Sequence, residues 1–450
     1  MVPKRKTLSS DAEVKAGTET RLDNNQLHTS KRARKDQHAE DCEDEECEGC
    51  AEGEIELQFD TMPSAMDLFQ MAREEASKSS TSESGGSGSR TGGGEISLLA
   101  KTLFDKAIEE FEVLEKANAH IKMNDGTEMG KQMMKTKLQH AACVVAVGNY
   151  MPSFEMLQEG TRMFEELAGR TEYKNGDVIV GLGIAGISQA RDLRRQAMKT
   201  WELEDGDDDD DEEPSEERRE AATLVEKAEI KLVQQALEHF HAGLNLLKSL
   251  PESAFAQESI RAAQELEEYG VSLDLKVNSN LATTIFDQAI QHLKDAQKHM
   301  AELVDSNSVA LGIWGSCLHS KARIVDNQKQ GDGNPATGLV ERAIEILVKA
   351  EGMQDEQSDA KTLEALGQAY LMSTGLIEDE DLIMERFGDA TEKLSRALEL
   401  DPYNDALRVQ VEALQGDDGD DGDEGKGYSE HSDDDYDAQG DEAAEEEEDS

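Results

Sequence analysis

The residues best placed to do chemistry fall in a few short stretches. Gly181, Gly183 and Gly186 follow Val178, Ile179 and Val180 in a G-x-G-x-x-G spacing, with Glu202 and Glu204 near the place of a ribose-binding acid. On paper this is a dinucleotide fingerprint, in which backbone amides of a strand-to-helix turn hold a pyrophosphate. That device needs a parallel sheet around it, and the chain offers almost no other strand patterns. The same glycines fit a closely packed helix, which is the reading adopted. Cys42, Cys47 and Cys50, with His38 as a fourth donor, have the softness of a zinc set. Their Asp- and Glu-rich flanks resist the fixed fold that a tetrahedral site requires, so no metal and no cofactor is expected. His239 and His241 fall on different faces of one predicted helix. No H-E-x-x-H pair, Ser-His-Asp grouping or Walker phosphate loop occurs. The Asp/Gly run at 416–425 has the composition of a calcium loop without its ligand spacing or closing Glu. The chain therefore reads as a protein without a catalytic centre.

The charge is uneven. The 450 residues carry 46 Lys and Arg against 99 Asp and Glu, a formal net charge of -53. Residues 416–450 hold 18 acids against Lys426, and residues 202–220 hold 13 against Arg218 and Arg219. Blocks of one sign repel themselves and stay solvated. Nucleic-acid backbone is a poor partner for such a chain, because phosphate contact needs Lys and Arg. Basic proteins are favoured instead, or the acid only keeps the array soluble. The start, Met1 to Lys6, is charged and lacks a secretory pattern. The longest apolar run, 141–147, is too short to span a bilayer, so no membrane association is expected. Cys143 and Cys317 lie within helical patterns and read as small buried hydrophobes.

Residues 1–94 read as a disordered arm. It holds two basic clusters, Lys4, Arg5 and Lys6, then Lys31, Arg32, Arg34 and Lys35, spaced as a nuclear-import signal. An apolar island interrupts the arm at 54–76: Ile55, Leu57 and Phe59 alternate, and Met66, Leu68 and Phe69 suit a short helix. Such an island docks on its own fold or offers a partner motif, and self-docking is the preferred reading. Residues 77–94 form a Gly/Ser linker. Ser429 and Ser432, each near acids in the 416–450 tail, suit an acid-directed kinase.

From about residue 95 to 415 the period is helical, and two patterns repeat. One is a large apolar residue, then Ala, Leu or Phe, and a small or apolar residue at offsets 3, 7 and 10. It occurs at Phe104-Ala107-Phe111-Leu114, Val233-Ala236-Phe240-Gly243, Phe286-Ala289-Leu293-Ala296, Val340-Ala343-Leu347-Ala350 and Phe387-Ala390-Leu394-Ala397. Those offsets place all four residues on one helical face. The other pattern sets an apolar-Gly pair between two apolar positions: Ile179, Leu182-Gly183 and Gly186; Leu311, Trp314-Gly315 and Leu318; Leu363, Leu366-Gly367 and Tyr370. Leu-Gly-x-x-Tyr, then Ala-x3-Leu, Ala397 and a closing Asp401-Pro402, is a tetratricopeptide signature. Extra chain falls between the paired helices, including the acidic insertion at 202–220. The fold class expected is all-α: an irregular tetratricopeptide-like solenoid of helical hairpins with disordered acidic arms.

The order of LVERAIEILVKAEG, TLEALGQAYLMSTGL and RFGDATEKLSRALELDPYNDALRVQVEAL, with an acidic insertion upstream and a basic arm, resembles the fungal enhancer of translation termination family. The resemblance implies a nuclear, non-catalytic adaptor. It implies support of translation termination, and regulation of hypoxic gene expression by binding an oxygen-sensing, 2-oxoglutarate-type dioxygenase related to prolyl hydroxylases. Its partners would be that enzyme or the termination machinery. The charge pattern leaves a second reading open, an acidic tetratricopeptide histone chaperone.

Overall fold

In the computed structural model the described residues are 28–31, 55–59, 62–79, 97–121, 127–170, 175–205, 223–249, 251–328, 335–353 and 359–416. They form fourteen helices and one two-stranded ribbon. In chain order the elements are β1 (His28–Lys31), β2 (Ile55–Gln58), α1 (Ala65–Ser79), α2 (Leu98–Ala117), α3 (Glu128–Tyr150), α4 (Phe154–Gly169) and α5 (Gly176–Asp205). Next come α6 (Lys227–Leu247), α7 (Glu252–Val271), α8 (Ser279–His299), α9 (Ala301–Asp305), α10 (Ser308–Asn327), α11 (Pro335–Glu351), α12 (Ala360–Thr374), α13 (Glu380–Leu400) and α14 (Asp405–Gln415).

The starts are set locally. Ser97, Thr127, Ser153, Asn307 and Asn404 each accept a backbone N–H three residues on, and so cap α2, α3, α4, α10 and α14. α13 ends at Leu400, where Asp401 and Pro402 stop the backbone ladder.

Helices pair in sequence: α1 with α2, α3 with α4, α5 with α6, α7 with α8, α10 with α11, α12 with α13, and α14 closes the end. The repeated Ala-centred pattern lies on the second helix of five of these hairpins, and the apolar-Gly pattern on the first helix of three. Each glycine of that second pattern admits a neighbour's side chain. A Cβ at Gly183 would lie 2.6 Å from Phe240 Cδ1, and one at Gly367 would lie 2.5 Å from Leu394 Cγ. Leu182, Trp314, Leu366, Tyr370, Ala390, Leu394 and Ala397 are buried, and Gly315 faces Leu347.

First helices meet one another along the array, α3 with α5, α5 with α7, α7 with α10 and α10 with α12. Second helices α4, α6, α8, α11 and α13 do not come together among the described residues; each wedges between its own partner and the next first helix. The first helices thus line one face of the stack, termed the inner face, and the second helices the opposite one.

The sequence reading assigns residues 1–94 to a disordered arm, and two parts of that segment are structured. β1 pairs antiparallel with β2, His28 opposite Gln58 and Lys31 opposite Ile55. The polar segment His-Thr-Ser-Lys has no alternation to announce a strand. Helix α1 docks on α2 through Ala65, Leu68, Phe69, Ala72 and Ala76, which share a core with Leu103, Phe104 and Phe111. The helical assembly thus begins at residue 65 rather than 95, because the island's small-residue face finds its cover on the chain's own first hairpin. The acidic tail beyond Gly416 and most of the acidic insertion lie outside the described residues.

Candidate partner-binding face

The inner face is stitched together by polar side chains passing from one first helix to the next. Asn149 on α3 donates through Nδ2 to Ser188 Oγ on α5 at 2.8 Å. Arg191 on α5 reaches α7, with Nη2 3.0 Å from Glu265 Oε2 and Nη1 3.1 Å from Glu268 Oε2. Ser316 on α10 donates to Glu267 Oε1 on α7 at 2.5 Å. Thr362 on α12 sits against Gly312 on α10, where a Cβ would lie 2.8 Å from Thr362 Oγ1. All of these groups are buried or partly buried, so each polar contact is made at reduced solvation.

α7 therefore presents three carboxylates at the middle of the inner face. Burial pushes Glu265 and Glu267 above the usual carboxylate range. Burial acts on Glu268 as well, but Arg191 and then Lys361 outweigh it and hold that carboxyl below its ordinary value. Arg73 of α1 is near enough to add to the same effect. Arg191 Nε is buried and has no hydrogen-bond partner among the described residues. The arrangement suits reception of a cationic or amide-bearing segment, since a cation here would relieve Glu265 and Glu267.

The raised carboxyls make a stability prediction. A carboxyl with folded pKa above its unfolded value gives the native state more bound protons between the two, so stability falls as pH rises through that window. Glu267→Gln keeps an acceptor for Ser316 and removes the ionisation. The variant is expected to melt at higher temperature than the parent at pH 7.5, with the difference shrinking toward pH 4. Each unit by which the carboxyl is raised is worth about 1.4 kcal/mol. Parallel thermal scans at the two pH values check it.

The chemically suggestive motifs have structural roles. Gly181, Gly183 and Gly186 lie inside α5, and Asp177 to Val180 are helical, so there is no strand-to-helix turn to hold a pyrophosphate. Gly181 faces Phe164, and a Cβ at Gly186 would lie 3.2 Å from Ala236 Cβ. Glu202 and Glu204 continue the same helix. His239 and His241 occupy different faces of α6, the first half-buried and the second exposed. Burial pushes His292 down to about 4 and His319 to about 3, so both stay neutral at physiological pH. The Cys143 thiol is pushed up to about 12 by burial, and Cys317 is raised as well, which leaves both unreactive. No group of three or more His, Cys, Asp and Glu suited to a metal occurs among the described residues. No helix among them is long and apolar enough to cross a membrane.

Of the import-signal residues, Lys31 closes β1, while Lys4, Arg5, Lys6, Arg32, Arg34 and Lys35 lie outside the described residues. Cys42, Cys47, Cys50, Ser429 and Ser432 lie outside them too.

Sequence reasoning missed a further buried network beside the acidic insertion. Arg194 on α5 grips Glu229 on α6 with Nε to Oε1 at 3.2 Å and Nη2 to Oε2 at 2.8 Å. Tyr269 on α7 donates to Glu229 Oε1 at 2.6 Å. Arg194 Nη1 and Asn278 Nδ2 both donate to Thr223 O, at 2.9 and 2.8 Å. The chain thus leaves α5 at Asp205 and is clamped on its return at Thr223. An Arg and a Glu 35 positions apart on separate helices give no local sequence signal.

No family model matches the chain, and no curated protein matches it. Solved structures do. A thermophilic TPR protein of Thermus thermophilus is 14% identical with a TM-score of 0.31, covering 63% of this chain and 98% of its own. Nro1, described as a hypoxic regulator of sterol synthesis and a nuclear import adaptor, is 10% identical with a TM-score of 0.42, covering 77% of this chain and 92% of its own. A second structure of Nro1, from S. pombe, is 9% identical with a TM-score of 0.39, covering 77% and 97%.

Proposed function

We propose that this chain is a non-catalytic nuclear adaptor that works by occupancy, receiving a segment of a partner on its inner face. The observation that carries the reading is the continuous first-helix face with Arg191, Glu265, Glu267 and Glu268 at its centre. The buried, neutral histidines and raised thiols are consistent with a protein that binds rather than reacts. From the sequence resemblance, the partner is a 2-oxoglutarate-type dioxygenase or the translation-termination machinery. The effect would be efficient termination and control of hypoxic gene expression.

The test is affinity capture of the tagged full chain from nuclear extract at moderate salt. Beside it run Glu265→Lys/Glu268→Lys and a form lacking residues 202–220. Recovery of a dioxygenase or termination factors by the parent and the deletion form, lost in the Lys variant, supports the reading. Recovery of histones that depends on residues 202–220 promotes the histone-chaperone alternative, which the two acidic runs favour.

Nuclear entry is read from the two basic clusters. Replacing Lys4, Arg5 and Lys6 together with Arg32, Arg34 and Lys35 by Ala is expected to move a fluorescent fusion from nucleus to cytoplasm. Unchanged nuclear signal after both replacements rejects this assignment of the import signal.

A further inference from the structure

The far end of the solenoid carries a second feature, on the second-helix side rather than the inner face. Five second helices open their repeated pattern with a large apolar residue: Phe104, Val233, Phe286, Val340 and Phe387. The first four are wholly buried, whereas Phe387 is 37% exposed. The cause is the length of the next helix in the stack. Val340 on α11 is covered by α12, in a core shared with Leu366, Ala369 and Tyr370. α14 has only 11 residues, and its Leu407 and Val411 cover Leu394 and Ala397 at the other half of α13. Among the described residues the outward side of the half that holds Phe387 stays open, while its inward side packs on α11 and α12 through Arg386 and Ala390.

Two more observations fall on the same spot. Met384, one turn earlier, is 70% exposed. Gly388 lies next to Phe387, and a Cβ built there meets nothing within 4 Å. Gly338, in the first turn of α11, is open as well, whereas mid-helix glycines such as Gly183, Gly315 and Gly367 each receive a neighbouring side chain. Glycine is unfavourable in a helix interior, and at those positions close packing compensates. At Gly388 the free chain has no compensation. A bare backbone beside two exposed apolar side chains is what a second helix needs for close approach.

The rim states the partner's charge. Between residues 378 and 389 the acids are Glu378, Asp379, Glu380, Asp381, Glu385 and Asp389, against Arg386 alone. Arg386 is engaged inward, 5.1 Å from the Tyr370 ring centroid and 3.4 Å from Glu341. We propose that the exposed half of α13, centred on Met384, Phe387 and Gly388, docks a basic amphipathic helix of another protein. Its apolar stripe would cover Met384 and Phe387, its backbone would approach at Gly388, and its Lys and Arg would meet the carboxylate rim. This goes beyond the adaptor reading, because it uses a different surface and survives if the inner face binds nothing.

The test is fluorescence anisotropy with the full chain at physiological salt. The probe is a labelled synthetic helix of about five turns with Leu and Phe on one face and Lys and Arg on the other. A twin with Glu in place of Lys and Arg is the control. The cationic helix is expected to bind saturably and the acidic twin at least tenfold more weakly. Phe387→Glu and Gly388→Leu are each expected to weaken binding at least tenfold. Gly388→Leu meets open space, so its melting temperature should equal or exceed the parent's, separating lost docking from lost folding. Equal binding by parent and both variants overturns the site, and assigns the peptide to the acidic runs elsewhere. A parent that sediments as a dimer, dissociated by Phe387→Glu, overturns the choice of occupant in favour of a second copy. Peptide binding that appears only after removal of residues 1–35 overturns it in favour of the chain's own basic arm.

Discussion

Glu229→Ala is expected to cost the array about 3–5 kcal/mol, because it leaves the Arg194 guanidinium buried without its counter-charge. Both side chains are almost entirely buried, at 3% and 2% exposure, so water cannot replace the lost partner. Three helices feel the loss together: α5 through Arg194, α6 through Glu229, and α7 through the Tyr269 hydroxyl. Arg194→Met/Glu229→Leu should be far less damaging than either single change, since an apolar pair of similar volume avoids the unpaired charge. Tyr269→Phe should sit between, at about 1.5–3 kcal/mol, the worth of one hydrogen bond to a charged group. Urea unfolding of the parent and these variants checks the order. A double variant as weak as the single ones would show that the ion pair itself, not the avoidance of an orphan charge, holds this joint.

The second large effect lies at the crossing of α5 and α6. Phe240 is wholly buried, fills the space left by the missing Cβ of Gly183, and meets the His292 ring edge-on at 6.2 Å. Phe240→Ala is expected to cost about 3–5 kcal/mol through lost burial and the cavity left behind. Gly183→Ala brings opposing terms. The helix gains about 1 kcal/mol in propensity, while crowding against Phe240 costs about 1–3 kcal/mol. With Phe240→Leu present the crowding is relieved, so Gly183→Ala should then be neutral or stabilising. A double-mutant cycle measures that coupling directly. Strict additivity of the two changes would mean that Gly183 and Phe240 do not share the space that the geometry gives them.

The hairpins were legible because their signal is local and repeated. Leu366-Gly367 and Ala390-Leu394 specify a first and a second helix by spacing alone, and the contact between Gly367 and Leu394 comes from that pairing. The α3–α4 hairpin was harder to read. Its crossing uses a glycine from each helix, Gly148 of α3 against Leu157 and Gly160 of α4 against Val145, a spacing that the repeated apolar-Gly pattern does not announce. In α7 the counterpart glycine, Gly270, sits at the helix end against Phe286 rather than in the middle. The inner-face cluster was less legible still. Arg191 meets Glu265 across 74 positions, and no periodicity distinguishes that Arg from the solvated ones. Charge composition pointed to the acidic runs, whereas the raised carboxyls of the inner-face cluster, Glu265 and Glu267, lie on α7, outside those runs. β1 was invisible because a four-residue polar strand exists only by virtue of its partner.

The contact pattern along the stack also governs how the molecule comes apart. Packing contacts among the described residues join each unit only to its immediate neighbours. Stability in such a row resembles coupling between adjacent spins: interior units are held from two sides, the last from one. α14 lies against the last hairpin alone, on α13 and through Gln410 on Gln368 of α12, and has eleven residues, so it is the natural place for fraying to begin. Loosening there would uncover Leu394 and Ala397 next, and the boundary between ordered and melted chain would travel inward as a front. The joint at Arg194, Glu229 and Tyr269 binds three consecutive first and second helices into one block, and such a block is where a travelling front stalls. The protein would then possess a persistent central segment and a yielding end, with cooperativity graded by position rather than shared by the whole chain.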